Sequence, residues 1–335
     1  MTRPIVVLAM VPYFTADLFS AALWERLETI AEVPEREPLT AFGAAEASVL
    51  LARAEIMLTG WGCPPLDAAA LAQAPRLRAV VHAAGTVKAH ITEACWARRL
   101  LVSSAAAANA VPVAEYTVAT ILMANKRLLH LRERYRATRQ FRWWPAEAPG
   151  LGNYRKVVGL VGASAVGRAV IERLRPFDLQ ILVADPYLDA AEAVRLGVER
   201  VELDDLLARA DVVSLHAPAL PETHHLLDAR RLALLRDGAT LINTARGALV
   251  EHSALERELC SGRIDAVIDT TEPEILPPDS PLYDLPNVFL TPHIAGAMGA
   301  ETQRLASLAI DEIERYARGE PFCHAVQHAD LPRLA

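Results

Sequence analysis

Short apolar runs alternate with amphipathic stretches along most of the chain. In the first hundred residues, strand-like runs at 5–10, 55–58, 78–82 and 100–102 alternate with stretches of helical period at 15–30, 44–52, 67–73 and around 87–98. Strands that are apolar on both sides, each followed by a helix, predict a parallel sheet covered on both faces. Turn-rich joints separate them: Gly60-Trp-Gly-Cys-Pro-Pro65, Pro75 and Ala83-Ala-Gly-Thr-Val87. A second alternation places six strands at 157–161, 179–184, 211–215, 239–243, 264–269 and 288–290, a pattern that predicts a doubly wound sheet. Two stretches break the rhythm. Residues 113–135 keep helical period far longer than the helices before them, with Pro112 suited to the first turn, and read as a bridge between domains. Residues 301–318 form a last long helix, apolar at Leu305, Leu308, Ala309, Ile313 and Tyr316, which we expect to return to the first sheet.

This organisation predicts an α/β protein of two doubly wound parallel-sheet domains, with any ligand site in the cleft between them. One domain is discontinuous, 1–104 with 296–335, and the other is 105–295. Residues 140–154 have no clear period and form a loop or arm. Trp143 and Trp144 within it, beside the long helix, predict contact with a second subunit and a homodimer.

Composition narrows the class. A chain of 335 residues with 52% hydrophobic and 22% charged residues can bury two cores and is not disordered. A net charge of −7 argues against a nucleic-acid or anionic-membrane partner. The basic residues between 126 and 142 are spaced as a solvated helix face. Cys63, Cys95, Cys260 and Cys323 are scattered without metal-ligand spacing, so we expect no metal and a reducing compartment. Residues 5–11 lack the flanks of a signal peptide, and no apolar run is expected to span a membrane. The expectation is a cytoplasmic protein.

The stretch Lys156-Val-Val-Gly-Leu-Val-Gly-Ala-Ser-Ala-Val-Gly167 carries the first candidate chemistry. It reads as a buried strand, a glycine turn and a helix start, with Asp185 ending the next strand 18 residues beyond Gly167. Amides at such a helix N-terminus can meet a pyrophosphate, and a carboxylate at the second strand tip accepts from ribose hydroxyls. Ser164 stands where the fingerprint has its middle glycine.

Polar residues recur after the later strands: His216-Ala-Pro218, Asn243-Thr-Ala-Arg246-Gly247, Asp269-Thr-Thr-Glu272-Pro-Glu274 and Thr291-Pro-His293. Singly, each has an ordinary structural explanation. Together they set a guanidinium, carboxylates and an imidazole beyond the strand ends of one nucleotide-binding sheet, where ligands bind.

With Asn287-Val-Phe-Leu-Thr-Pro-His-Ile-Ala-Gly296 and Ala108-Asn-Ala-Val-Pro-Val-Ala-Glu115, these segments resemble the D-isomer-specific 2-hydroxyacid dehydrogenase family over essentially the whole chain. The resemblance implies a flavodoxin-like substrate domain, a Rossmann NAD-binding domain and interconversion of a small 2-oxo acid with its D-2-hydroxy acid. It implies that Arg246, Glu274 and His293 are catalytic: Arg246 binding and polarising the substrate, His293 the acid–base, Glu274 its partner in preference to Glu272. Gly162, Ser164, Ala165, Val166, Gly167, Asp185, His216, Ala217, Pro218, Thr244, Ala245, Asp269 and His293 would meet NAD. Gly85, Thr86 and Val87 would meet the substrate carboxylate beside Arg246 and His293. Departures from the family pattern are Ser164, Ala165, the Gly-Thr-Val loop and Ile275 after Glu274. The alternative on the same fold is an NAD(H)-binding, corepressor-like regulatory protein.

Overall fold

Strands without a polar side need cover on both faces, and the chain builds two such sheets. A computed structural model describes residues 3–140 and 150–333. The chain divides into two units, one of residues up to Asn109 together with those from Ala297 onward, the other Ala110–Gly296.

In the first unit, β1 (Val6–Ala9), β2 (Ile56–Thr59), β3 (Ala79–His82) and β4 (Leu101–Ser104) pair in parallel in that order. Bridges at Glu32 and Leu39 add an extended segment to the other edge of β1, which gives the flavodoxin-like order. Pro34 and Pro38 hide that segment from strand patterning, because proline cannot donate to a ladder. The helix expected over 15–30 is two, α1 (Pro12–Leu18) and α2 (Ala21–Ile30). They part at Phe19-Ser20, where Phe19 is buried and stacked on Trp24, and Ser20 takes the extended conformation of an N-cap. α3 (Ala45–Arg53) and α4 (Ala68–Gln73) follow, the latter capped by Asp67, whose carboxylate accepts from Ala70 N. α5 (Glu93–Ala97) is shorter than the stretch expected around 87–98, since residues 88–90 form a turn that buries His90.

α6 (Ala106–Asn125) and α7 (Leu128–Thr138) replace the single helix expected from 113. Pro112 therefore lies inside a helix rather than in its first turn. The break has no glycine or proline behind it. Arg127 takes a left-handed conformation (φ 48°) and its guanidinium lies 3.8 Å from Asp265, so tertiary contact overrides good helix formers. α6 is also long and apolar enough, by length and composition, to cross a membrane, which corrects the expectation of no such run. Its Ala114 and Ile121 are nevertheless fully buried in a core of the second unit. The arm expected around Trp143 and Trp144 falls on residues 141–149, outside the described residues.

The second sheet comprises β5 (Val157–Val161), β6 (Gln180–Ala184), β7 (Glu199–Arg200), β8 (Val212–Leu215), β9 (Thr240–Asn243), β10 (Asp265–Ile268) and β11 (Val288–Leu290). All seven are parallel, in the order β11-β10-β9-β8-β5-β6-β7. Six strands are expected from the sequence; β7 is the addition, two exposed residues too short to show a period. α8 (Ala165–Leu174), α9 (Ala190–Leu196), α10 (Leu203–Arg209), α11 (Ala229–Leu232) and α12 (His252–Cys260) provide helical connections. Strand order reverses between β5 and β8, so the crevice for a ligand lies beyond the carboxyl ends of those two strands. α13 (Thr302–Ala317) packs on α1, α2, β3 and β4, burying Leu305, Ala309, Ile310 and Ile313 in the first unit's core.

A buried polar trio sits at the ends of β2 and β3. Thr59 Oγ1 lies 2.9 Å from His82 Nδ1 and 3.2 Å from His90 Nε2. Burial pushes His90 down to about 4 and His82 well below the ordinary imidazole value of 6.5. The folded state thus holds both rings neutral, while the unfolded chain protonates them. Their contribution to stability is full above about pH 6.5 and is lost as pH falls toward 4. His90 alone should account for about 3 kcal/mol of that loss. Urea midpoints should therefore fall between pH 7 and 4.5, and less steeply in His90→Gln; a midpoint flat across that range would contradict this.

Candidate active site

The crevice between β5 and β8 is floored by glycine because nothing larger fits. Gly162 leaves β5 at φ 103°, and a Cβ there would lie 2.8–2.9 Å from the backbone of His216 and Ala217 at the end of β8. A Cβ on Gly167 would lie 2.3 Å from Gly162 O, so the first turn of α8 rests directly on the strand end. Ser164 is the N-cap of α8, its hydroxyl accepting from Gly167 N at 3.4 Å. The side chain that replaces the middle glycine therefore closes a helix end. Asp185, after β6, accepts from Ala163 N at 2.6 Å and Tyr187 N at 2.7 Å, one bond to each oxygen. Each oxygen keeps a lone pair for a further donor.

Around this turn lie groups that fit a dinucleotide. Ala165 and Val166 start α8, and the amides of a first helical turn have no intrahelical acceptor. His216 is buried with neither ring nitrogen hydrogen-bonded, and burial pushes it down to about 4, so it is neutral. An orphaned buried imidazole beside a glycine cradle is a group awaiting a partner. Ala217 is buried and Pro218 half-buried next to it. Arg168, in the first turns of α8, is engaged with Glu192 at 2.6 Å.

The second cluster stands beyond β9, β10 and β11. Asn243, at the buried end of β9, holds the following turn by accepting from Ala245 N at 3.1 Å and donating to Arg246 O at 2.9 Å. Thr244 Oγ1 lies 3.2 Å from Thr117 of α6. Gly247 packs so closely that a Cβ would sit 2.1 Å from Thr271 C, which locks the Arg246 turn onto the loop after β10. The half-buried Arg246 guanidinium donates to Ala245 O at 2.6 Å, and among the described residues no carboxylate is within ion-pair distance. Burial lowers its pKa, with the charge of Glu274 opposing that shift. It remains a cation lacking a counter-ion at contact distance.

His293 follows β11 in a left-handed conformation (φ 54°), its amide donating to Asp269 O at 2.9 Å. That turn brings its Nδ1 to 2.5 Å from Glu274 Oε1. Glu272 lies elsewhere, toward His224 and His225. Asp269 is buried and accepts from Thr291 Oγ1 (2.7 Å), Ile294 N (2.8 Å) and Ala295 N (2.9 Å). Three of about four acceptor positions on this carboxylate hold the loop that carries His293. Asp269 therefore braces that loop, and its Oδ2, which among the described residues accepts only from Ala295 N, keeps one acceptor position.

Three residues of this site receive no role from the sequence: Asn243, Thr291 and Tyr116, whose hydroxyl lies 2.9 Å from Thr291 Oγ1. The signal for Asn243 is an amide ending an otherwise apolar buried strand; Tyr116 carries none. In the first unit, Gly85, Thr86 and Val87 follow β3, with Val87 buried and Gly85 and Thr86 half-buried. His82, just before them, faces Thr59 inside the core and is not available to a substrate.

Residues 118–295 match the family described as D-isomer specific 2-hydroxyacid dehydrogenase, NAD binding domain. The chain is 35% identical over 306 residues to a D-3-phosphoglycerate dehydrogenase of Mycobacterium tuberculosis, covering 90% of this chain and 55% of that one. It is 36% identical over 263 residues to a glyoxylate reductase of Thermofilum pendens, covering 76% of each. A solved phosphoglycerate oxidoreductase from Rhizobium etli superposes with a TM-score of 0.81 at 25% identity, over 97% of this chain and 99% of that one. The chain spans about half the length of the D-3-phosphoglycerate dehydrogenases it matches.

Proposed function

The chain belongs to the D-isomer-specific 2-hydroxyacid dehydrogenase family, and from that premise we propose that it interconverts a small 2-oxo acid and its D-2-hydroxy acid with NAD(H). The observation that carries this is the His293–Glu274 contact of 2.5 Å on the same sheet edge as Arg246, which has no contact counter-ion among the described residues. Bound NADH supplies the hydride in the reducing direction. Arg246 holds the substrate carboxylate and draws charge onto the carbonyl oxygen. Glu274 holds Nδ1 of His293, leaving Nε2 to give a proton to the forming alkoxide and to recover it in oxidation. Asp269, Thr291 and Tyr116 fix the His293 loop.

In this proposal the second unit is the NAD-binding domain and the first the substrate domain, where amides of Gly85, Thr86 and Val87 bind the carboxylate. Gly162, Ser164, Ala165, Val166 and Gly167 receive the pyrophosphate, and Asp185 the adenosine ribose. His216, Ala217, Pro218, Thr244, Ala245 and Asp269 line the rest of the cofactor site. Four free cysteines suit a reducing cytoplasm. NADH-linked reduction should appear in a screen of glyoxylate, hydroxypyruvate, pyruvate and the 2-oxo counterpart of D-3-phosphoglycerate; inertness to all small 2-oxo acids would refute the proposal.

Two expectations accompany it. The Asp185 carboxylate repels a 2′-phosphate, so kcat/KM should be higher with NADH than with NADPH; the reverse order would overturn the ribose assignment. Met123 on α6, and Leu128 and Tyr135 on α7, are large apolar side chains exposed on the second unit. A second copy covering them gives a homodimer, and light scattering should report twice the chain mass at micromolar concentration rather than a monomer.

A further inference from the structure

Cysteine spacing predicts no metal, yet the fold converges three ligand-type side chains away from the catalytic pair. His224 and His225 follow β8, and Glu272 follows β10. Glu272 Oε2 lies 3.9 Å from His224 Nε2 and 3.6 Å from His225 Nε2, and the three donor atoms fall within 4.8 Å of one another. The two His–Glu distances are too long for hydrogen bonds. They are close to the roughly 3.3 Å that separates ligands sharing one tetrahedral ion at about 2.0–2.1 Å from each.

The backbone behind these side chains is built to hold them together. Adjacent residues on an extended chain point opposite ways, but His225 takes a left-handed conformation (φ 49°). The two imidazoles consequently stack, with centroids 3.8 Å apart. Thr223 stiffens the turn before them, its hydroxyl donating to Pro218 O at 2.6 Å and accepting from Leu220 N at 2.8 Å. Both arms rest on one turn. His225 N donates to Ala248 O at 2.8 Å, and a Cβ on Gly247 would lie 2.5 Å from Glu272 N. Small rotations of three partly exposed side chains would close the donors onto an ion without moving this base.

We propose that His224, His225 and Glu272 bind one divalent transition-metal ion, of the class that zinc represents, and thereby tie the loop after β8 to the loop after β10. Two imidazoles and one carboxylate suit zinc, cobalt, nickel or copper and do not suit magnesium. Water completes the coordination. The site does not depend on the catalytic proposal, and its test uses binding rather than turnover.

The experiment is calorimetric titration of the untagged full chain with zinc chloride and, separately, magnesium chloride. Wild type should bind one zinc ion per chain and show no magnesium binding at the same concentrations. Loss of an outer-sphere partner typically weakens metal affinity by roughly 10–100-fold, and loss of a direct ligand should cost at least that. His225→Asn, which keeps a residue tolerant of the left-handed turn, and Glu272→Gln, on an exposed loop, should each show this weakening. His252→Gln, which removes the histidine of a separate surface His–Glu pair, should not. Zinc should also raise the melting temperature of wild type and of His252→Gln more than that of the two ligand variants. Absence of zinc binding by wild type, equal binding by His225→Asn and Glu272→Gln, or magnesium binding as tight as zinc would overturn the proposal.

Discussion

His293→Ala should lower the rate of 2-oxo acid reduction by roughly 10²–10⁴-fold, the usual contribution of a general acid–base group. NADH affinity should barely change, because the work proposed for the imidazole lies in the transition state. The side chain is half exposed and its loop is held through Asp269 and backbone bonds, so the variant should fold. Glu274→Gln is the companion. It keeps a group able to accept from Nδ1 but removes the carboxylate charge beside the ring, so the rate of reduction should fall, by less than in His293→Ala. Glu272→Gln, assayed without added metal, should leave the rate where it was. Near wild-type reduction by His293→Ala would remove the proton donor from the account. A rate lowered by Glu272→Gln and not by Glu274→Gln would mean that the partner had been misassigned.

The second large effect belongs to Arg246. Removing a donor aimed at a developing oxyanion typically costs about 10²–10³-fold in kcat, and Arg246 is proposed to hold the carboxylate as well. Arg246→Ala should therefore raise KM and lower kcat together. Among the described residues its half-buried guanidinium has no contact carboxylate, so no ion pair among them is broken by the change, and the loss should appear in kinetics more than in stability. Arg246→Lys keeps the charge but not the planar fork and should recover little. An unchanged KM for the 2-oxo acid would contradict carboxylate binding at this position.

The parts of the fold legible in the sequence are those whose signal is local. Parallel strands show as short apolar runs, and the βαβ unit shows because Gly162, Gly167 and Asp185 lie within 24 residues of one another. Breaks set by tertiary contact do not show. Nothing in Lys126-Arg127 announces the end of α6, because the left-handed Arg127 answers to Asp265 far along the chain. Pro34 and Pro38 likewise conceal the extended segment beside β1.

In the candidate site, Arg246, Glu274 and His293 are visible as polar residues beyond strand ends, but their partners are not. Tyr116 meets Thr291 across 175 residues, and no pattern in either segment names the other. Asp269 shows the opposite limit. A carboxylate at a strand tip looks ligand-facing in sequence, and nothing there shows the three internal donors that it also holds in the fold. His224, His225 and Glu272 carry no metal-ligand spacing at all, and only the Gly247–Ala248 turn brings them together.

Hydride transfer to the 2-oxo carbon is the central claim, and isotope transfer tests it most directly. The chain is incubated with NADH deuterated at the transferable position of C4 and with the best 2-oxo acid from the screen, and the product is resolved on a chiral column by mass spectrometry. The account predicts a D-2-hydroxy acid carrying one deuterium at C2, formed by wild type and nearly absent with His293→Ala. NADH binding without any labelled 2-hydroxy acid, or a labelled product of the L configuration, would contradict it.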